Sequence, residues 1–190
     1  MRVLIIILLL LLTACQPNET NKTVNMYNQD ESMIGTAKLT ERPDGVQVKL
    51  KLEGLEPGFH GIHVHEFAEC EAPDFKSAGN HLNPGGKEHG LMHPKGAHLG
   101  DLPNIEADSG GLVEAELMLP KATLLDGKNS LTEGDGTSLV ITAGQDDGVS
   151  QPSGDSGPRI ACGKITTSKD KGTKNSPTDP TQFNEKQQEK

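Results

Sequence analysis

Between His81 and Asp101 the chain reads HLNPGGKEHGLMHPKGAHLGD, 21 residues with four histidines, one aspartate and too much glycine and proline for a helix or strand. A structureless loop of this length is unusual in a compact domain unless something else orders it. A metal ion would do so. Three imidazoles and a carboxylate make a common tetrahedral set for zinc, which takes nitrogen and oxygen donors without geometric preference. His81, His89, His93, His98 and Asp101 are five candidates for four places.

The remaining three of the seven histidines lie just upstream, in FHGIHVHE. That segment reads as a strand, on which His63 and His65, two residues apart, point to one face and can chelate a single ion. His60 precedes His63 by three and points the other way, as a hydrogen-bonded structural histidine would. GTAKLT, VQVKLKLEGL, LVEAELML, TSLVITA and RIACGKIT also alternate or run in β-branched and aliphatic residues between Gly, Pro and Asp turns. With 3% aromatic residues and 22 glycines, the core must be Val, Ile, Leu and Ala in a turn-rich antiparallel sandwich or barrel. The formal charge of −9 leaves no basic patch for phosphates, which excludes nucleic acid as a partner.

The ends carry a different message. Arg2 precedes VLIIILLLLL, an apolar run too short to span a bilayer, and LTAC follows. This resembles the lipobox of bacterial lipoproteins. It predicts a signal peptide over 1–14, lipidation of Cys15, a polar tether over 15–23 and attachment to the cell membrane, facing outside the cytoplasm. Spending Cys15 on the anchor leaves Cys70 and Cys162, which can pair in an oxidising compartment. Residues 168–190 are polar and charged with almost nothing to bury, and read as a disordered tail. The folded domain is expected over 24–167.

GFHGIHVHE, SAGNHLNP, KEHG, HLGDLPN, DDG and GPRIACGKI occur in the order found in copper/zinc superoxide dismutases, and the chain resembles that family over about residues 33–166. The steps from His81 to His89, His98 and Asp101 match the family's zinc loop. The resemblance implies an all-β fold: an eight-stranded antiparallel Greek-key β-barrel (an immunoglobulin-like sandwich) with long metal-binding and electrostatic loops. It implies zinc on His81, His89, His98 and Asp101, and copper on His63, His65 and His81, with His81 shared. Asp146 matches a carboxylate that orients ligand histidines of both metals. Arg159 matches the arginine that draws superoxide to copper, and Cys70 with Cys162 matches the family's disulfide. His93 has no counterpart and reads as a solvent-facing loop residue.

One position departs from the pattern. Thr142 stands where the family has a fourth copper-binding histidine, and Asp146, four residues on, keeps the register. The expected result is a weaker, three-histidine copper site and superoxide dismutation at reduced activity. Copper handling without efficient turnover, or a zinc-stabilised domain without catalysis, are the other functions this composition allows.

Overall fold

Alternation in the sequence becomes strand pairing in the structure, a computed structural model that describes residues 20–167. Its strands are β1 (Asn21–Asn28), β2 (Met33–Arg42), β3 (Gly45–Leu52), β4 (Gly58–His60), β5 (Ile62–His65), β6 (Ile105–Ala107), β7 (Val113–Pro120), β8 (Thr137–Thr142) and β9 (Arg159–Ile165). Seven of them form one curled antiparallel sheet in the order β5-β8-β9-β1-β2-β3-β7, and β4 pairs with β6 in a ribbon. β4 and β5 are a single run broken at Gly61, whose N–H donates to Gly144 O at 2.8 Å. Counted that way, the strands among the described residues are the eight that the resemblance implies. The segments expected as signal peptide and tail, and Cys15, lie outside the described residues.

The period of two sets the core. In β3, Val46, Val48, Leu50 and Leu52 are buried while Lys49 and Lys51 are exposed and pair with Glu116 and Glu114 of β7. β8 departs from this pattern, being buried on both faces. Leu139 and Ile141 belong to the main core, whereas Val140 packs with Phe75, Ala78 and Cys162 in a second, smaller cluster. The outward face of β8 is covered by loops, and the metal-binding histidines lie beneath them.

Two strands escaped the sequence pattern. β1 begins at Asn21, inside the stretch expected as tether, and carries only Val24 and Met26 as buried residues. Its three asparagines are poor strand formers, and pairing with β2 on one side and β9 on the other overrides that propensity. β6 is three residues long and exists by pairing with β4.

Cys70 and Cys162, 92 positions apart in sequence, form a disulfide with Cα atoms 5.7 Å apart. It ties the loop after β5 to β9. In the chain-entropy account a loop of this size contributes roughly 4 kcal/mol. A Cys70→Ser/Cys162→Ser variant should therefore unfold about 10 °C lower. Calorimetry checks this, and a shift of under about 2 °C would contradict it.

Candidate metal centre

β5 is the edge strand that presents the first two histidines. Ile62 and Val64 face the core; His63 and His65 lie on the opposite face, paired with Val140 and Ser138 of β8. The long loop closes back on this edge at both ends. His81 bridges to His65 and Asp101 to His63, with Val64 N donating to Gly100 O and Leu82 N to Val64 O, both at 2.8 Å. The segment that could form no regular element is thus held by strand-like contacts at its two ends.

Asp101 organises what lies between. Its Oδ1 faces Nδ1 of His81, His89 and His98 at 2.9, 3.2 and 3.3 Å, and its Oδ2 accepts the N–H groups of Gly90 and His98, each at 2.9 Å. Three imidazole nitrogens and a carboxylate therefore converge on one point. A second grouping overlaps it, since donor atoms of His63, His81, His89 and Asp101 lie within 4.8 Å of one another. The two groupings differ in His98 and His63. Proximity alone does not make His63 part of the Asp101 cluster, because its Nε2 is taken by Asp146 Oδ2 at 2.7 Å.

Asp146 reaches both sides, accepting from His63 Nε2 through Oδ2 and from His89 Nε2 through Oδ1 at 3.1 Å. Its backbone is clamped by Asn104, whose Oδ1 accepts Asp146 N–H at 2.9 Å and whose Nδ2 donates to Asp146 O at 2.8 Å. Gly154, at φ 70°, passes so close that a Cβ there would lie 1.8 Å from Asp146 Oδ1. Gly154→Ala should push Asp146 off His89 and weaken metal binding by about 10–100-fold, the usual effect of losing such an orienting partner. Metal titration followed by competition with a chelator would show it; unchanged affinity would mean that Asp146 does not orient the histidines.

Fixing one nitrogen of each ring leaves the other aimed. His63 is held by Nε2, so Nδ1 is free; His65 donates Nδ1–H to Gly79 O at 3.0 Å, so Nε2 is free. Both leftover atoms are buried and have no hydrogen-bond partner. A buried polar atom left unsatisfied costs about 1–3 kcal/mol, so two on the same strand face suit a metal ion that both can bind. His81 commits Nδ1 to Asp101, which leaves Nε2 uncommitted, and its ring centroid lies 4.0 Å from that of His63 and 4.9 Å from that of His65.

Electrostatics follow from these contacts. Burial, helped by neighbouring His81, pushes His65 down to about 2. Burial also outweighs Asp101 at His81, which falls to about 4. At His89 burial opposes the charge, but hydrogen bonds to Asp101 and Asp146 win and raise the ring to about 9. Burial likewise opposes ionisation of Asp101 and Asp146, and their histidine partners overcome it, holding both carboxyls well below the usual range.

Arg159 donates through Nη1 to Phe75 O and through Nη2 to Gly79 O, both at 2.7 Å. The Gly79 carbonyl thus joins Arg159 to His65. His60 contacts Thr142 O with Nδ1 at 2.9 Å and Glu56 O with Nε2 at 2.8 Å, a buried structural role as its spacing implied. His93 lies outside the cluster, its Nδ1 accepting Lys95 N–H at 3.2 Å. Asn104 and Gln151, which bonds both the N–H and the carbonyl of His89, were not singled out by the sequence. Asn104 lies in the quoted HLGDLPN, but nothing in that motif says which backbone it will grip.

A histidine–aspartate cluster on the outer face of an antiparallel β-barrel, under loops locked by a disulfide, defines an all-β metal-binding protein. The chain belongs to the copper/zinc superoxide dismutase family, whose model matches residues 33–165. It is 45% identical over 159 residues to superoxide dismutase [Cu-Zn] 2 of Aquifex aeolicus, covering 83% of this chain and 93% of that one. Among solved structures, a double mutant of a SOD-like protein from Bacillus subtilis matches with a TM-score of 0.74 at 38% identity, over 76% of this chain and 96% of that one. The Cu/Zn superoxide dismutase of Brucella abortus matches with a TM-score of 0.64 at 34% identity, over 77% and 99%.

Proposed function

We propose that the protein dismutes superoxide to O₂ and H₂O₂ outside the cytoplasm, anchored by lipid on Cys15, at a rate lowered by the residue at position 142. The observation that carries this reading is the pair of unpartnered buried nitrogens, His63 Nδ1 and His65 Nε2, beside His81. His81, His89, His98 and Asp101 would hold zinc; His63, His65 and His81 would hold copper, so that His81 serves both. His98 rather than His63 completes the zinc set, because His98 Nδ1 faces Asp101 while His63 Nε2 is committed to Asp146.

Copper held by His63, His65 and His81 would supply the alternating one-electron chemistry that takes an electron from one superoxide and gives it, with two protons, to another. The chain's residues supply the rest. Asp146 fixes the tautomer and angle of His63 and His89, and the Gly79 carbonyl does the same for His65. Arg159, held on that same carbonyl, places a positive charge beside His65 for the incoming anion. His81 Nε2 is the atom placed to hold a proton destined for peroxide. Between Thr142 and Arg159 the chain carries Asp146, Asp147 and Asp155 but no lysine, so electrostatic steering rests on Arg159. Arg159→Ala should reduce the rate by about tenfold, the low end of what steering contributes.

Support for the location comes from the apolar run before LTAC and from the Cys70–Cys162 disulfide, which persists in oxidising compartments. The test is superoxide decay followed by stopped flow on protein carrying one zinc and one copper. First-order decay whose rate rises in proportion to protein concentration, well above that of a His63→Ala variant, supports dismutation. Bound copper with decay no faster than that variant would favour copper handling instead.

A further inference from the structure

We infer that the copper side of this centre selects the cuprous ion, holding Cu(I) in preference to Cu(II). This rests on the reading that His63, His65 and His81 are the copper donors. All seven histidines lie in the described residues, and each of the other four is turned to other contacts or lies outside the cluster. His60 has both nitrogens on carbonyls, His89 has both on carboxylates, His98 faces Asp101 and His93 is outside the cluster. The two cysteines near the centre are joined to each other.

Thr142 does not fill the gap. Its N–H donates to Gly61 O at 3.0 Å, and its hydroxyl contacts the same oxygen at 3.2 Å and Gly144 O at 3.3 Å. Its own carbonyl accepts from His60. The side chain lies so close to Gly61 that a Cβ there would sit 2.6 Å from Thr142 Oγ1. A neutral hydroxyl turned onto backbone carbonyls is a poor copper donor, since copper favours imidazole nitrogen. Cu(II) prefers a tetragonal set of four. Cu(I), with a filled d shell, has no such preference, so losing one imidazole penalises the oxidised ion more.

The experiment measures Cu(I) affinity of the zinc-loaded full chain against bicinchoninate, and Cu(II) affinity against glycine. Wild type, Thr142→His and Thr142→Val are compared. Thr142→His should lower the Cu(I)-to-Cu(II) affinity ratio at least tenfold, which is about 59 mV in a one-electron potential. Thr142→Val should match wild type within about twofold, because Gly61 O keeps Thr142 N–H and Gly144 O keeps Gly61 N–H. A tenfold loss of Cu(II) affinity in Thr142→Val would make the hydroxyl a ligand and overturn the inference. If Thr142→His does not fold, X-ray absorption of the wild type decides: three nitrogen neighbours around Cu(I) support the inference, and a fourth protein donor overturns it. Copper bound without valence preference defeats this inference alone. Copper held no more tightly than by His63→Ala defeats the donor assignment with it.

Discussion

Asp101→Asn should abolish tight zinc binding and loosen the loop from His81 to Asp101. One carboxylate faces three imidazoles and accepts two loop N–H groups, so its negative charge serves all five contacts at once. Losing a residue that only orients a ligand weakens metal binding by about 10–100-fold, and losing a ligand should exceed that. The metal-free fold should suffer too. Removing one partner of a buried ionic pair destabilises by about 3–5 kcal/mol, and His89 would be left with half its compensation. His93→Ala is the control, and should leave zinc content unchanged. Zinc content by mass spectrometry and hydrogen exchange across the loop check both; zinc loss in His93→Ala would displace His98 from the ligand set.

Zinc should release about one proton per ion bound at pH 7, and its affinity should fall as pH falls. In the metal-free protein both nitrogens of His89 face carboxylate oxygens, so both carry protons, consistent with a pKa raised to about 9. A ligand must give up its proton to bind metal. Below pH 9 the His89 proton alone therefore costs about tenfold in zinc affinity per unit of pH, or about a thousandfold between pH 7 and pH 4. His81, pushed down to about 4, adds its own competing proton only below that point. The linkage has the opposite sign in the metal-free fold. His89 is raised above its ordinary value, so its stabilisation is complete below about 6.5 and is lost as pH rises through 9. Calorimetric titration in buffers of different ionisation enthalpy counts the protons, and a count of zero at pH 7 would contradict the account.

The chemistry of the site was more legible than its framing. His63 and His65 are two apart on a strand whose alternate residues, Ile62 and Val64, are obviously apolar, so period alone places the pair on one face. The loop's dependence on something beyond its own backbone was legible from its glycine and proline. Residues alone left five candidates for four places; the resemblance chose among them, and the structure puts His93 elsewhere because its ring turns to Lys95. β1 was hidden because its inward residues are only Val24 and Met26 among polar neighbours, and its pairing partners are far away in sequence. Asn104 and Gln151 act on backbone groups 42 and 62 residues distant, a contact that no local pattern encodes. The anchor and tail remain readings of composition.

The central claim is that two metals share His81. Anomalous diffraction at the copper and zinc edges, from crystals of the fully loaded protein, tests it most directly. The account predicts a zinc peak bounded by His81, His89, His98 and Asp101, and a separate copper peak bounded by His63, His65 and His81. A single peak among His63, His81, His89 and Asp101, with His98 and His65 turned away, would contradict it.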